Sequence, residues 1–322
     1  MKNQIFLTII SVFLTIASVA NAQQFTVEKS EIFQPQTQNK KVLLLQDGSS
    51  GNQKIILFQT RLAVNTDGAP VSYHPKDLRG ENKAINSICN AISVRRVSDN
   101  TKLKCSEAIP IFEQYRDNNW IVPTGFKISW QNVLAESTVN GKITPCIFQT
   151  GEYTGYFGSL TSLKNNLATN KRGECEQFNQ LDQRYIPALV MPGGANPLKT
   201  FGAKQGDLVV AYNPQNQAIA FALIGDQGPE ENLGEGSVAL NMSLLKVTTQ
   251  PKNYTEVRRL DTGNLEILIA VIPASDSFQR KTPFTKDNLA ERVKNWHVKA
   301  GFSTSEKFVE MMKTFQCQLE RN

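Results

Sequence analysis

AIAFALIGDQGPEENLGEGS, residues 218–237, decides how the rest of the chain is read. Ala218 to Ile224 is an unbroken apolar run, short enough for a buried strand, and Gly225 and Pro229 favour a strand over a turn of core helix. The strand delivers Asp226 to a Gly/Pro loop. Glu235 follows nine residues later, between two glycines and just ahead of Ser237 and the apolar run Val238 to Leu245, which reads as a capped helix start. A carboxyl at the exit of a buried strand is partly desolvated, which raises its pKa and lets it donate a proton at neutral pH. Backbone amides at a helix start favour the ionised form of the other. One neutral and one charged carboxyl is the division of labour that glycosidic hydrolysis requires. A plainer reading uses the same residues, with Asp226 capping its turn and Glu235 answering the helix dipole.

Outward from this stretch, Asp207 to Tyr212 is a second β-rich run, joined to Ala218–Ile224 by NPQNQ as a hairpin. Further strands are expected at Val42 to Leu45, Ile55 to Val64 and Leu265 to Ile272. Ile85, Ile88, Cys89 and Ile92 have helical spacing, and 117–130 alternates between turn and strand signals. The tail is helical: Leu289, Val293 and Trp296 share one face after Thr285 and Asp287, and Phe308, Met311, Met312 and Phe315 share another. Residues 162–180 are polar and loop-like. No repeat is visible.

Residues 1–22 read as a cleaved secretory leader, with Lys2, an apolar core from Ile5 to Val19, and Ala20-Asn21-Ala22 at the end. Residues 23–40 form a polar, Gln-rich arm, and 41–322 are taken as one domain. No second run approaches spanning length, so the protein is expected to be secreted or periplasmic and not an integral membrane protein. The net charge is +6 for the whole chain. The basic residues are scattered and are not interleaved with aromatics, which argues against nucleic acid as a partner. Export permits disulfides. Sequence neighbours suggest Cys89 with Cys105 and Cys146 with Cys175, leaving Cys317 unpaired, although other pairings are equally legal. With only His74 and His297 available, no metal site or other cofactor is expected.

GDQGPEENLGEGSVAL (225–240) resembles the strand-Asp-loop-Gly-Glu-x-Ser element of glycoside hydrolase family 75, the fungal-type chitosanases, and their bacterial relatives. TDGAPVSYHPKDLRG (66–80), GYFGSLTSL (155–163), RYIPALVMP (184–192), GDLVVAY (206–212) and RRLDTGNLEILIAVIPAS (258–275) agree in order. The resemblance implies inverting, endo-acting cleavage of β-1,4 links in chitosan, with Asp226 and Glu235 as the essential acids. A second likeness, of IGDQGP to the Asp-x-Gly-Pro turn of expansins, family 45 endoglucanases and rare lipoprotein A domains, implies a fold that is α+β and mainly β. Its centre would be a six-stranded double-psi β-barrel, with helices at the C-terminus. A cationic chain needs further carboxylates to hold it, and Glu230, Glu231, Asp67 and Asp207 are the candidates. Sugar rings need flat platforms, for which Trp120, Tyr153, Tyr156 and Tyr185 are available, and His74 could bond a sugar hydroxyl. Each of these has an ordinary structural reading as well. A monomer acting on a polysaccharide is expected. The alternatives are a peptidoglycan-cleaving lytic enzyme needing one acid, and an expansin-like protein that binds polysaccharide without cutting it.

Overall fold

The structure is a computed structural model that describes residues 25–34, 39–48, 52–130, 132–165 and 175–320. The leader expected over 1–22 lies outside the described residues, as do residues 166–174 of the polar loop.

The architecture is mixed α and β, dominated by one nine-stranded sheet. In chain order the strands are β1 (Phe25–Phe33), β2 (Lys40–Asp47), β3 (Lys54–Thr60), β4 (Ala63–Asn65), β5 (Ser93–Arg96), β6 (Phe126–Ser129), β7 (Glu136–Val139), β8 (Lys142–Pro145), β9 (Ala188–Met191), β10 (Leu208–Tyr212), β11 (Ile219–Gln227), β12 (Glu235–Ser237) and β13 (Ile267–Ile272). The large sheet runs β1-β2-β3-β13-β10-β11-β9-β12-β4, while β5–β6 and β7–β8 are separate hairpins. Pairing is antiparallel except between β11 and β9 and between β12 and β4.

The centre of the sheet follows directly from composition. All six residues of β13, ILIAVI, are buried, and such a run demands cover on both faces. Leu268, Ala270 and Ile272 join Leu223, Leu289, Val293, Trp296 and Phe308 on one face. Ile267, Ile269 and Val271 join Ile224, Leu198, Leu240 and Leu244 on the other. The first face is covered by α5 (Lys286–Lys299), α6 (Ser305–Thr314) and α7 (Gln316–Glu320), and the second by α2 (Pro197–Thr200) and α3 (Val238–Leu245). Each fully buried aliphatic side chain contributes about 1.5–3 kcal/mol. The hairpin read from NPQNQ is present, with Leu208 opposite Leu223 and Tyr212 opposite Ile219. Thr285 caps α5, accepting from the Asn288 amide at 3.1 Å.

Several expectations require correction. The ladder ends at β1 and β4, and among the described residues these edges do not pair, so the sheet is open and no closed double-psi barrel is found. Both edges of β13 are paired, one with β10 and the other with β3, beyond which β2 and β1 extend the sheet. Within the stretch read as a polar arm, Phe25–Phe33 is a strand paired with β2 and anchored by buried Phe25 and Phe33. Ile55 to Val64 is two strands, not one. Ile85 to Ile92 contains only a short 3-10 turn, Ile88–Asn90, capped by Ser87.

Residues 66–160 build a satellite against the end of the sheet. Its core joins the aromatic side chains Tyr73, Phe112, Tyr115, Trp130 and Phe157 to aliphatic ones such as Ile88, Leu103, Ile109 and Leu134 around α1 (Cys105–Asp117). Cys89–Cys105 and Cys146–Cys175 lie at disulfide distance, with Cα separations of 5.5 and 5.9 Å. Cys317 is free and exposed on α7. No helix among the described residues is long and apolar enough to cross a membrane.

Candidate active site

Asp226 and Glu235 are brought together by one strand. Asp226 of β11 and Glu235 of β12 both pair with Val190, one on each side of β9. Register partners project to the same face, so the two carboxyls rise from one surface about two interstrand spacings apart, roughly 9.5 Å at the backbone. The face is chosen by a bulge. Ile224 pairs with Leu189 but Asp226 pairs with Val190, so Gly225 is an extra residue in β11. Were 224–226 a regular strand with Gly225 in register, Asp226 would follow Ile224 into the hydrophobic core, since strand residues two apart share a face; the bulge turns it to the opposite side. Only glycine fits, because a Cβ at 225 would lie 2.7 Å from the Cβ of Ala188 and 2.8 Å from Leu181 Cδ1.

Glu235 is placed with similar strictness. Gly234 before it has φ +128°, and a Cβ there would collide with the Arg61 carbonyl at 2.1 Å. The Thr60 hydroxyl donates to the Leu233 carbonyl at 2.7 Å, and the Ala63 amide donates to the Gly234 carbonyl at 2.9 Å. Glu235 does not cap α3. That role belongs to Ser237, whose hydroxyl accepts from the Leu240 amide at 3.1 Å.

The two acids line a cavity of about 950 Å³ lying between the sheet end and the satellite. Asp226 is buried, and Oδ1 accepts from the Ser162 amide at 2.9 Å, the Ser162 hydroxyl at 2.6 Å and the Gln227 amide at 2.8 Å. Burial drives its pKa above the ordinary carboxylate range; these hydrogen bonds oppose the shift and the charge of Glu235 adds to it. Among the described residues all three bonds fall on Oδ1, which leaves Oδ2 as the oxygen able to hold and deliver a proton. Glu235 is partly exposed and is held by neutral amides, with Asn232 Nδ2 on Oε1 at 2.9 Å and Asn65 Nδ2 on Oε2 at 3.3 Å.

A third carboxyl completes the cluster. Asp67 follows β4, and the parallel β4–β12 pairing carries it to the same rim. Its backbone amide donates to Asn65 Oδ1 at 2.7 Å, so Asn65 ties it to Glu235. The Tyr73 hydroxyl donates to Asp67 Oδ1 at 2.7 Å and accepts from Asn86 Nδ2 at 3.0 Å. Burial first, then repulsion from Asp226, raises Asp67 to about 8 despite the Tyr73 bond. Among the described residues no group of three or more His, Cys, Asp or Glu is arranged to hold a metal ion.

The remaining candidates do not line this cavity. Glu230 and Glu231 are exposed, and Glu230 lies over Gly194. Asp207 is buried elsewhere, where it clamps a turn by accepting from the amides of Lys204, Ser275 and Asp276. His74 is buried edge-on to Tyr156 with ring centroids 4.8 Å apart, and its Nδ1 accepts from the Lys76 amide. Tyr156 donates to the Lys83 carbonyl at 3.2 Å. Trp120 packs on Tyr115 and Phe112 in the satellite core. Tyr153 and Tyr185 flank the Arg184 guanidinium, 5.3 and 5.0 Å from their ring centres, so their faces are already engaged. Conversely, sequence reasoning missed Asn65, Tyr73, Asn86, Ser162 and Asn232. Tyr73, Ser162 and Asn232 lay in stretches already quoted, TDGAPVSYHPKDLRG, GYFGSLTSL and GDQGPEENLGEGSVAL, whereas Asn65 and Asn86 lay outside them.

No protein-family model matches the sequence, and no curated protein matches it significantly.

Proposed function

We propose that this protein is a polysaccharide hydrolase that cleaves β-1,4 links in an amino-sugar glycan, chitosan-like in backbone, by an inverting two-carboxylate mechanism. The observation that carries the reading is the shared registration of Asp226 and Glu235 on Val190, with both side chains lining one open groove. Asp226 acts as general acid. Its Oδ2 proton passes to the glycosidic oxygen as the bond from that oxygen to the anomeric carbon breaks. Glu235 removes a proton from a water molecule attacking the same carbon from the opposite face. The water oxygen becomes the new anomeric hydroxyl, and the proton on Glu235 returns through solvent to Asp226. Inversion needs carboxyls roughly 6.5–9.5 Å apart with a water between them, an arrangement that the intervening strand β9 leaves room for.

The family 75 resemblance supports the same two residues, and the Asp-Gln-Gly-Pro turn retains the local likeness to double-psi barrels within an open sheet. Two disulfides suit an exported protein. The test is release of reducing ends from chitosan and from purified murein by the wild type, Asp226→Asn and Glu235→Gln. Both substitutions should lower turnover by about 10²–10⁴-fold. Release from neither polymer, with pull-down retained, would make the protein a binding module. Full activity in Glu235→Gln with loss in Asp226→Asn would leave a single-acid lytic mechanism.

A further inference from the structure

The charged side chains lining the groove divide by origin. The acids come from the sheet rim: Asp67, Asp226 and Glu235. The cations come from elsewhere. Lys102 is exposed and lies just beyond β5, and Lys164 is buried, its Nζ donating to Gln180 Oε1 at 2.6 Å. Arg258 ends α4 (Tyr254–Arg258) and pairs with Asp261 at 2.9 Å with more than half its side chain exposed. At neutral pH burial keeps the proton on Asp67, at about 8, and favours it on Asp226. Three cations share the lining with these acids, Lys102 exposed, Lys164 bonded to Gln180 and Arg258 paired with Asp261. Of the four acids named to hold a cationic sugar only Asp67 lines the groove; Glu230, Glu231 and Asp207 lie outside it. The chain's net charge of +6 adds a background of the same sign.

We infer that the groove takes a β-1,4-linked glycan bearing carboxylate groups and disfavours a polycationic one, with Lys102, Lys164 and Arg258 as the residues that read the negative charge. This rests on the hydrolase reading for its site but not for its test, because binding can be measured without cleavage. Paired charges fix specificity and encounter more than raw affinity, and exposed ones are screened over about 8 Å at physiological salt.

The experiment is affinity gel electrophoresis of Asp226→Asn with carboxymethyl chitin, glycol chitin and chitosan, which share a backbone and differ in charge. Murein and polymannuronate serve as arms that separate stem-peptide from uronate carboxylates. Carboxymethyl chitin should bind at least tenfold tighter than chitosan, and the preference should shrink with salt. Lys102→Glu with Arg258→Glu should abolish the preference, while Lys102→Arg should keep it; thermal melting verifies that each variant is folded. Reversing Lys286 and Lys294, both on α5, gives the same change in net charge away from the groove and should leave the preference in place. Chitosan binding as tightly as carboxymethyl chitin overturns the inference. So does a preference that survives the Lys102/Arg258 reversal, or one lost equally in the α5 reversal. If no polymer is cleaved by the wild type but the charge preference holds, the hydrolase reading fails and this one stands.

Discussion

The sheet and the satellite meet across the groove, and they are held together by different means. The sheet is aliphatic and long-range: β3, β13, β10 and β11 stack leucine, isoleucine and valine against helices on both faces. The satellite relies on ring contacts, such as Tyr115 with Trp120 at 5.2 Å, on short hairpins, and on a disulfide between Cys89 and Cys105. The sheet sets where the acid backbones stand. Loop segments from the satellite side supply polar partners, with Ser162 on Asp226 and Tyr73 on Asp67. Position and protonation are thus controlled by separate parts of the molecule.

The sharpest way to break this contrast is to truncate each core in turn. Leu57→Ala, at a fully buried sheet position, should cost about 2–5 kcal/mol. Phe112→Ala, equally buried in the satellite, should cost about 3–5 kcal/mol. Hydrogen exchange should show protection lost throughout the protein in the first case and mainly over residues 66–160 in the second. Identical exchange patterns would mean the two regions unfold as one unit.

A smaller effect should come from Asp67. Its folded-state pKa of about 8 lies above the ordinary 3.8, so the folded protein holds this proton more tightly than the unfolded chain. Stability from this group is complete below pH 4 and is lost as pH rises towards 8. Asp67→Asn should flatten that decline and stabilise the protein near pH 7 by about 1–3 kcal/mol, read by urea unfolding across pH 4–9. An unchanged slope would show that Asp67 is not the group responsible.

The smallest change expected concerns Ser162. Ser162→Ala removes one donor that favours the Asp226 anion, so the Asp226 pKa should rise further. Since a general acid must start protonated, activity should persist to higher pH, with the alkaline limb of the profile moving up. A downward shift would mean that Asp226 does not work as the acid.

How much of this was legible in the sequence depends on range. The Asn213–Gln217 hairpin, the Ser237 and Thr285 caps and the apolar stripes of α5 and α6 are local, and each showed in its own residues. Helix α1 did not, because Pro110 interrupts its pattern. The shared partner of Asp226 and Glu235 is Val190, whose sequence carries no mark of that role. Asp67 reaches the rim through a parallel pairing that joins residues about 170 apart in sequence, and long-range register is set by the whole sheet. The aromatic candidates failed for a related reason. A tyrosine or tryptophan looks the same in sequence whether it stacks on a sugar, on Arg184 or within a core.

The Gly225 bulge carries a consequence for how this site could change over time. Deleting that residue would leave Asp226 directly after Ile224, still opposite Val190 and on the same face, whereas any side chain at 225 would run into Ala188 and Leu181 and force the strand, and Asp226 with it, out of place. Loss of activity therefore needs no substitution at either acid, and a chain that keeps both could still be silent if position 225 carries a side chain.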